Sequence, residues 1–262
     1  MHAPIAVFDS GIGSYSIVNR IQQAAPNQNI IYFADRKSFP YGNKTSDELF
    51  YVVSEAIRFL ETYCPAAIVI ASNVPSVTLL PRLKSMYATP IYGIFPPIQE
   101  AMQISRTKTI GVLAVQSLVS HPSVQSYIAH QTDMPEHVHV INASSLVETV
   151  ESGEFLFNVP RTEAAIRLCI DKALNKFSSI DTFTLSSTHL PWLAPYLKRL
   201  YPHLCYVDPA TSMVASLPLK NDGTGLITGL ATESDSAAFS KENFNKMMTA
   251  LGICINMEWI KP

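Results

Sequence analysis

AAIVIASNVPS, Ala66 to Ser76, and DTFTLSSTHLP, Asp181 to Pro191, are two versions of one pattern. Each opens on a short β-rich run, turns polar at an Ala-Ser or Ser-Ser pair, and meets a proline within a few positions. Apolar runs of this length without alternation suit strands buried on both faces. A proline just beyond fits the first turn of a following helix. Strand followed by helix, twice over, predicts an α/β chain built on parallel sheet. In such sheets the carboxyl ends of the strands open into the ligand crevice, so Ser72 and Ser187 are expected to face one cleft from two half-molecules.

The rest of the chain repeats the alternation. Strands are predicted at Ile5–Asp9, Asn29–Ala34, Ala66–Ala71, Ile91–Ile94, Thr109–Ala114, His137–Asn142, Thr182–Ser186 and Cys205–Asp208, with one more around Ile227. Helical patterns separate them. SYSIVNRIQQAA follows the first strand, and SDELFYVVSEAIRFLETY follows the second, with Ser46 as its expected N-cap and Leu49, Val52, Val53, Ala56, Ile57 and Leu60 at core-facing spacing. VPRTEAAIRLCIDKALNKF is a third clear case. With no low-complexity tract or Gly/Ser linker, the domain boundary is placed in the proline-rich IFPPIQ, Ile94 to Gln99.

Composition narrows the function classes. The 262 residues are 47% hydrophobic and 15% charged, with net charge −2, which describes an ordinary folded protein. No Lys/Arg cluster supplies a nucleic-acid footprint, so no nucleic-acid partner is expected. No apolar run approaches the roughly 20 residues of a membrane helix, so no membrane partner is expected either. MHAPIAVFD leads straight into a strand without a basic segment and an apolar core, and a cytoplasmic protein is expected. Cys64, Cys169, Cys205 and Cys254 fall in no CxxC pattern and read as small core hydrophobes. HVH, His137 to His139, puts two imidazoles on one face of a predicted strand, but a packed or solvated pair is favoured and no metal is assigned.

The motifs admit more than one reading. DSGIGSYS, Asp9 to Ser16, follows a strand and opens a helix like a dinucleotide fingerprint, and Asp35 closes the second strand where a ribose-binding acid would sit. Yet Ser16 stands at the third glycine, and Asp9 would oppose a pyrophosphate. The amides at that helix start suit a substrate carboxylate better, so no cofactor is expected. FPYGNKT, Phe39 to Thr45, is either turn chemistry with a packed tyrosine or one wall of a pocket. In ASNVPS, capping accounts for one of Ser72 and Asn73. In SSTHLP, a serine two residues before a histidine suggests a nucleophile with its base, but there is no G-x-S-x-G elbow, and a hydrolase is the weaker reading.

Taken together and in order, these stretches resemble the cofactor-independent glutamate racemases of the aspartate/glutamate racemase superfamily. FDSGIG is similar to that family's FDSGxGG, YFADRKSFPYGNK to its YFxDxxxxPYGxK, VIASNVPS to its VIACNTAS, LVETVESG to its VPLVExG, LSSTHLPWL to its LGCTHYPLL, and the tail from Thr228 to its TGDPExF…LG segment. The resemblance implies two similar parallel-sheet α/β domains related by a pseudo-twofold, 1–96 with 208–262 and 97–207, holding the ligand between them. It implies a small carboxylate or acidic amino acid, glutamate or aspartate, as ligand, no cofactor, and a homodimer. In the family one cysteine removes the α-proton and another returns one on the opposite face; the catalytic positions carried over are Ser72 and Ser187, with Asp9 and His189 beside them. Ser10, Pro40, Tyr41, Gly42, Asn73 and Thr188 match substrate-binding motifs, and Asp35 and Glu151 match supporting acids.

The departures fall on the chemistry. Both cysteines are serines, Val74 replaces a threonine, Ser186 replaces the glycine before the second thiol, and Leu118, Ser120 and His121 alter a Thr-rich segment. None of the four cysteines lies where a lost thiol would be needed. A protein that keeps the ligand site but has lost or impaired two-base racemisation is therefore expected. The competing readings are a working amino-acid racemase supplying D-glutamate for peptidoglycan, and a non-catalytic regulatory or interaction protein.

Overall fold

The computed structural model describes residues 3–236 and 239–261. Ten strands lie among them: β1 (Ile5–Asp9), β2 (Ile30–Ala34), β3 (Ala67–Ile70), β4 (Ile91–Gly93), β5 (Ile110–Ala114), β6 (Val138–Asn142), β7 (Thr182–Leu185), β8 (Cys205–Val207), β9 (Ile227–Thr232) and β10 (Met257–Ile260). The chain divides into two compact units. Residues up to Ile94 with those from Ala210 onward form the first, and Phe95–Pro209 the second.

The first unit holds a sheet in the order β10-β9-β2-β1-β3-β4, every neighbouring pair parallel. Its central strands β1, β2 and β3 are buried at every position, which is why they read as unbroken apolar runs. Register aligns the strand ends: Asp9 sits opposite Ala34 and Phe8 opposite Ile70. The Asp35 amide donates to the Asp9 carbonyl at 2.8 Å and the Ala71 amide to that of Phe8 at 2.8 Å. Asp9, Asp35 and Ser72 thus leave three adjacent strands at one edge.

Helices α1 (Tyr15–Ala24), α2 (Ser46–Glu61) and α3 (Asn73–Lys84) follow β1, β2 and β3. The α2 cap is Thr45, not Ser46: Thr45 has extended backbone, its Oγ1 accepts from the Glu48 amide, and the Glu48 carboxylate accepts from the Thr45 amide. That closed capping box makes Ser46 the first helical residue. Leu49, Val53, Ala56, Ile57 and Leu60 are buried as expected, whereas Val52 is only half-buried.

One hydroxyl fastens the end of β3 to the end of β4. Ser76 Oγ, fully buried, donates to the Ser72 carbonyl at 2.6 Å and accepts from the Ile94 amide at 3.0 Å. A side chain at Gly93 would come within 2.7 Å of that oxygen, so the glycine is what lets the two strands close on the hydroxyl. Ser76→Ala should therefore cost about 1–3 kcal/mol, the price of a buried amide left without its acceptor, read as a lower denaturation midpoint at unchanged slope.

The second unit holds a parallel sheet in the order β6-β5-β7-β8. Gly111 faces Phe183 across β5 and β7, and a Cβ there would meet the ring at 2.4 Å. The Ser186 amide donates to the Leu113 carbonyl at 3.0 Å, which sets where β7 gives way to the Ser186–His189 turn.

Three further expectations need correction. Met257–Ile260 is a strand the sequence pattern missed; it is a short edge strand with exposed Glu258, lacking the buried run that marks the others. His137 ends a tight 3-10 turn and precedes β6, so the two histidines do not form a strand pair; the His139 ring stacks on Phe177 at 3.8 Å. Of the cysteines only Cys169 is buried, and burial raises its thiol pKa to about 11; Cys64, Cys205 and Cys254 are exposed because they lie in loops or at a strand end. Among the described residues, no helix is long and apolar enough to cross a membrane.

Candidate functional site

The strand ends of the first unit gather a polar cluster inside an apolar shell. Asp9, Ser10, Asp35, Tyr41 and Asn73 are all buried. Asp35 anchors the group: its Oδ2 accepts from the Tyr41 hydroxyl at 3.1 Å and its Oδ1 from the Thr232 hydroxyl at 3.2 Å. Tyr41 stands in a tight turn with Gly42, after a cis Phe39–Pro40 peptide. Burial, then the charges of Asp35 and Asp9, hold the Tyr41 pKa well above its ordinary value. Tyr41 is thus a fixed hydrogen-bond donor and not a base.

Ser72 occupies the cap position of α3, yet its side chain makes no capping hydrogen bond. The helix start is secured instead through its carbonyl, which Ser76 takes. Asn73 Nδ2 donates to the Ile94 carbonyl at 3.3 Å, while its buried Oδ1 has no hydrogen-bond partner. Buried acceptors are rarely left so, and an orphan at a strand carboxyl end points to a ligand donor.

Arg36 is a residue that sequence reasoning passed over. It is the largest fully buried side chain, with its guanidinium 5.3, 5.9 and 5.0 Å from the rings of Phe39, Phe239 and Phe244. Its Nη1 donates to the Ser10 carbonyl at 3.1 Å. A cation seated among aromatic faces in this way is attracted by each ring quadrupole, and here it holds the Asp9–Gly13 turn from beneath. Phe39 lies close by in sequence, but Phe239 and Phe244 come from about 200 residues away, so no local pattern marks the cage.

The second unit gathers its own cluster where β7 ends. Ser186, Ser187, Thr188 and His189 are buried, as is Glu151 at the end of the helix Ser144–Glu151. His189 Nε2 pairs with Glu151 Oε2 at 2.8 Å, and His189 Nδ1 lies 3.4 Å from Ser187 Oγ. The His189 amide is 3.5 Å from the same hydroxyl. Ser186 Oγ is engaged separately, 2.7 Å from Thr184 Oγ1. The structure therefore brings Ser187, His189 and Glu151 together in one unit and Asp9, Asp35, Tyr41 and Asn73 in the other.

No protein-family model matches the chain. It is 30% identical to the glutamate racemase of Actinobacillus pleuropneumoniae (serotype 7) over 267 aligned positions, covering 98% of this chain and 90% of that protein. A second glutamate racemase from that species (serotype 5b) is 32% identical, covering 81% and 80%. The chain belongs to the glutamate racemase family. Its fold agrees: the glutamate racemase of Thermus thermophilus, solved with β-chloro-D-alanine, superposes with a TM-score of 0.81 at 23% identity, over 99% of this chain and 97% of that one. The Aquifex pyrophilus glutamate racemase gives 0.72 at 26% identity, over 98% of each. Escherichia coli glutamate racemase, solved with L-glutamate and the activator UDP-MurNAc-Ala, gives 0.80 at 21%.

Proposed function

We propose that this protein binds a small acidic amino acid, glutamate or aspartate, through its racemase-type residues, and that two-base racemisation is lost or strongly impaired. The observation that carries the proposal is selective change. Tyr41 is bonded to Asp35 and His189 to Glu151, with Asp9 and Asn73 buried at the same strand ends as the first pair, while both positions that match the family's thiols by resemblance carry hydroxyls. The orphaned Oδ1 of Asn73 supports a ligand ammonium as the missing donor. Ser10, Pro40, Gly42 and Thr188 are proposed to complete the binding set.

The chemistry follows from acidity. A free thiol has a pKa near 8.5 and yields thiolate when a neighbouring charge lowers it. A serine hydroxyl is far weaker as an acid and serves as a base only when another group takes its proton. Racemisation by two bases needs one competent group for each face of the α-carbon, and neither Ser72 nor Ser187 meets that need alone. Ser187 has His189 within reach.

The test is deuterium uptake at Cα of D- and L-glutamate and of D- and L-aspartate in heavy water, followed by NMR, together with thermal shift in the presence of each. Stabilisation without exchange, or slow exchange of one enantiomer only, is expected. Rapid exchange of both enantiomers would establish a working racemase and overturn the proposal. A second, slower activity is favoured by one observation, the buried His189–Glu151 pair, which supports a single base on one face. The proposal extends to a cytoplasmic homodimer. Absence of stabilisation by any acidic amino acid would favour a regulatory or interaction role instead.

A further inference from the structure

Glu151, His189 and Ser187 form a connected row of side chains, with His189 in contact with both of the others. A carboxylate accepts and cannot donate, so Glu151 Oε2 at 2.8 Å places a proton on His189 Nε2. In the tautomer that donates from Nε2 to Glu151, Nδ1 is the acceptor and faces Ser187 Oγ at 3.4 Å. A hydroxyl, an accepting ring nitrogen facing it, and a buried carboxylate orienting that ring are the three parts of an activated nucleophile. The order of chain positions is irrelevant, because such triads are defined by geometry and role. Glu151 is 1% exposed and His189 5%, so water competes little for either; Ser187, at 8%, is the most accessible of the three.

We infer that Ser187 is a nucleophile toward small activated acyl compounds, esters or thioesters of short carboxylic acids. The Ser187 Oγ–H proton passes to His189 Nδ1 as Oγ bonds to the acyl carbon. Glu151 stabilises the resulting imidazolium, and the C–O or C–S bond to the leaving group breaks as that group takes the proton from Nδ1. Water, deprotonated by the same nitrogen, then releases the carboxylic acid and restores Ser187. With a thiol at position 187 the same row would favour proton shuttling by a thiolate; with a hydroxyl it favours acyl transfer, since the alkoxide exists only while a bond forms.

The nucleophile belongs to one unit alone and does not depend on which amino acid the protein binds. The experiment uses the full chain with two small probes, diisopropyl fluorophosphate and p-nitrophenyl acetate, read by intact mass, peptide mapping and nitrophenol release. One phosphoryl adduct per chain is expected, on the peptide carrying Ser187, with fluoride expelled. Labelling should vanish in Ser187→Ala and slow at least about 100-fold in His189→Gln, the usual contribution of a positioned base. Glu151→Gln keeps a hydrogen-bond partner for the ring while removing the charge, and should slow labelling less than His189→Gln. An unlabelled wild-type chain, an adduct on another residue, or equal rates in wild type and in folded His189→Gln or Glu151→Gln would each overturn the inference. Deuterium exchange and ligand stabilisation read the acidic-amino-acid site separately, so failure of one is not failure of the other.

Discussion

Ser72→Cys, Ser187→Cys should racemise an acidic amino acid where the parent chain does not, with the double variant exceeding either single variant by at least about 100-fold. The magnitude follows from positioned acid–base catalysis, worth about 10²–10⁴-fold per competent group, and from the need for one group on each face. A single thiol restores one half of a two-step exchange; only the pair completes it. Chiral chromatography of glutamate and aspartate checks this directly. The surroundings favour success at position 187, where His189 is 3.4 Å from the side-chain oxygen and its partner Glu151 is in place. If the double variant binds ligand yet stays inert, the divergence extends to the pocket, and Val74→Thr is the first further change to make.

Arg36→Ala is expected to produce the largest loss of stability. It removes a fully buried side chain from among three aromatic rings and withdraws the donor from the Ser10 carbonyl. A cavity of that kind costs about 2–5 kcal/mol, and each lost cation–π contact adds to it. At about 2–4 °C per kcal/mol for a protein of this size, the melting temperature should fall by on the order of 10 °C. Arg36→Met separates packing from positioning: it refills most of the space without a charge to bury, so stability should fall by less than about 1.5 kcal/mol. Ligand affinity should nonetheless weaken, because the Ser10 carbonyl loses its tether. A melting temperature for Arg36→Ala within about 2 °C of the parent would show that the cage contributes little.

Much of the fold was legible because buried parallel strands leave a plain signature. IAVFD, IIYFA and AIVI are buried throughout and stand out without any periodicity analysis. Met257–Ile260 was missed for the opposite reason: on an edge it needs no unbroken apolar run. Thr45 was legible in principle, since Thr-x-x-Glu is a capping signature, but the adjacent Ser46 is an equally good capping type and only the backbone decides between them. Exposure of Cys64, Cys205 and Cys254 shows how weak residue type alone is as a guide to burial. At the site, the strand-end positions of Asp9, Asp35, Ser72 and Ser187 followed from the pattern. The pairing of His189 with Glu151, 38 residues apart, and the Arg36 cage did not, because both are meetings of distant segments that no local spacing encodes.

The neighbour of β2 has a consequence for synthesis. β2 pairs on one side with β1, nearby in the chain, and on the other with β9, where Asp35 and Thr232 meet across 197 residues. At a ribosome's pace of about 5–20 residues per second, roughly 10–40 s separate the appearance of the two strands. Throughout that interval the nascent first unit carries a bare, apolar sheet edge, the kind that templates pairing with other chains. Of the intervening residues, Phe95–Pro209 belong to the second compact unit and offer β2 no partner strand. Yield in the cell should therefore depend on what shields β2 while the chain is unfinished, a vulnerability that equilibrium measurements on the completed protein do not register.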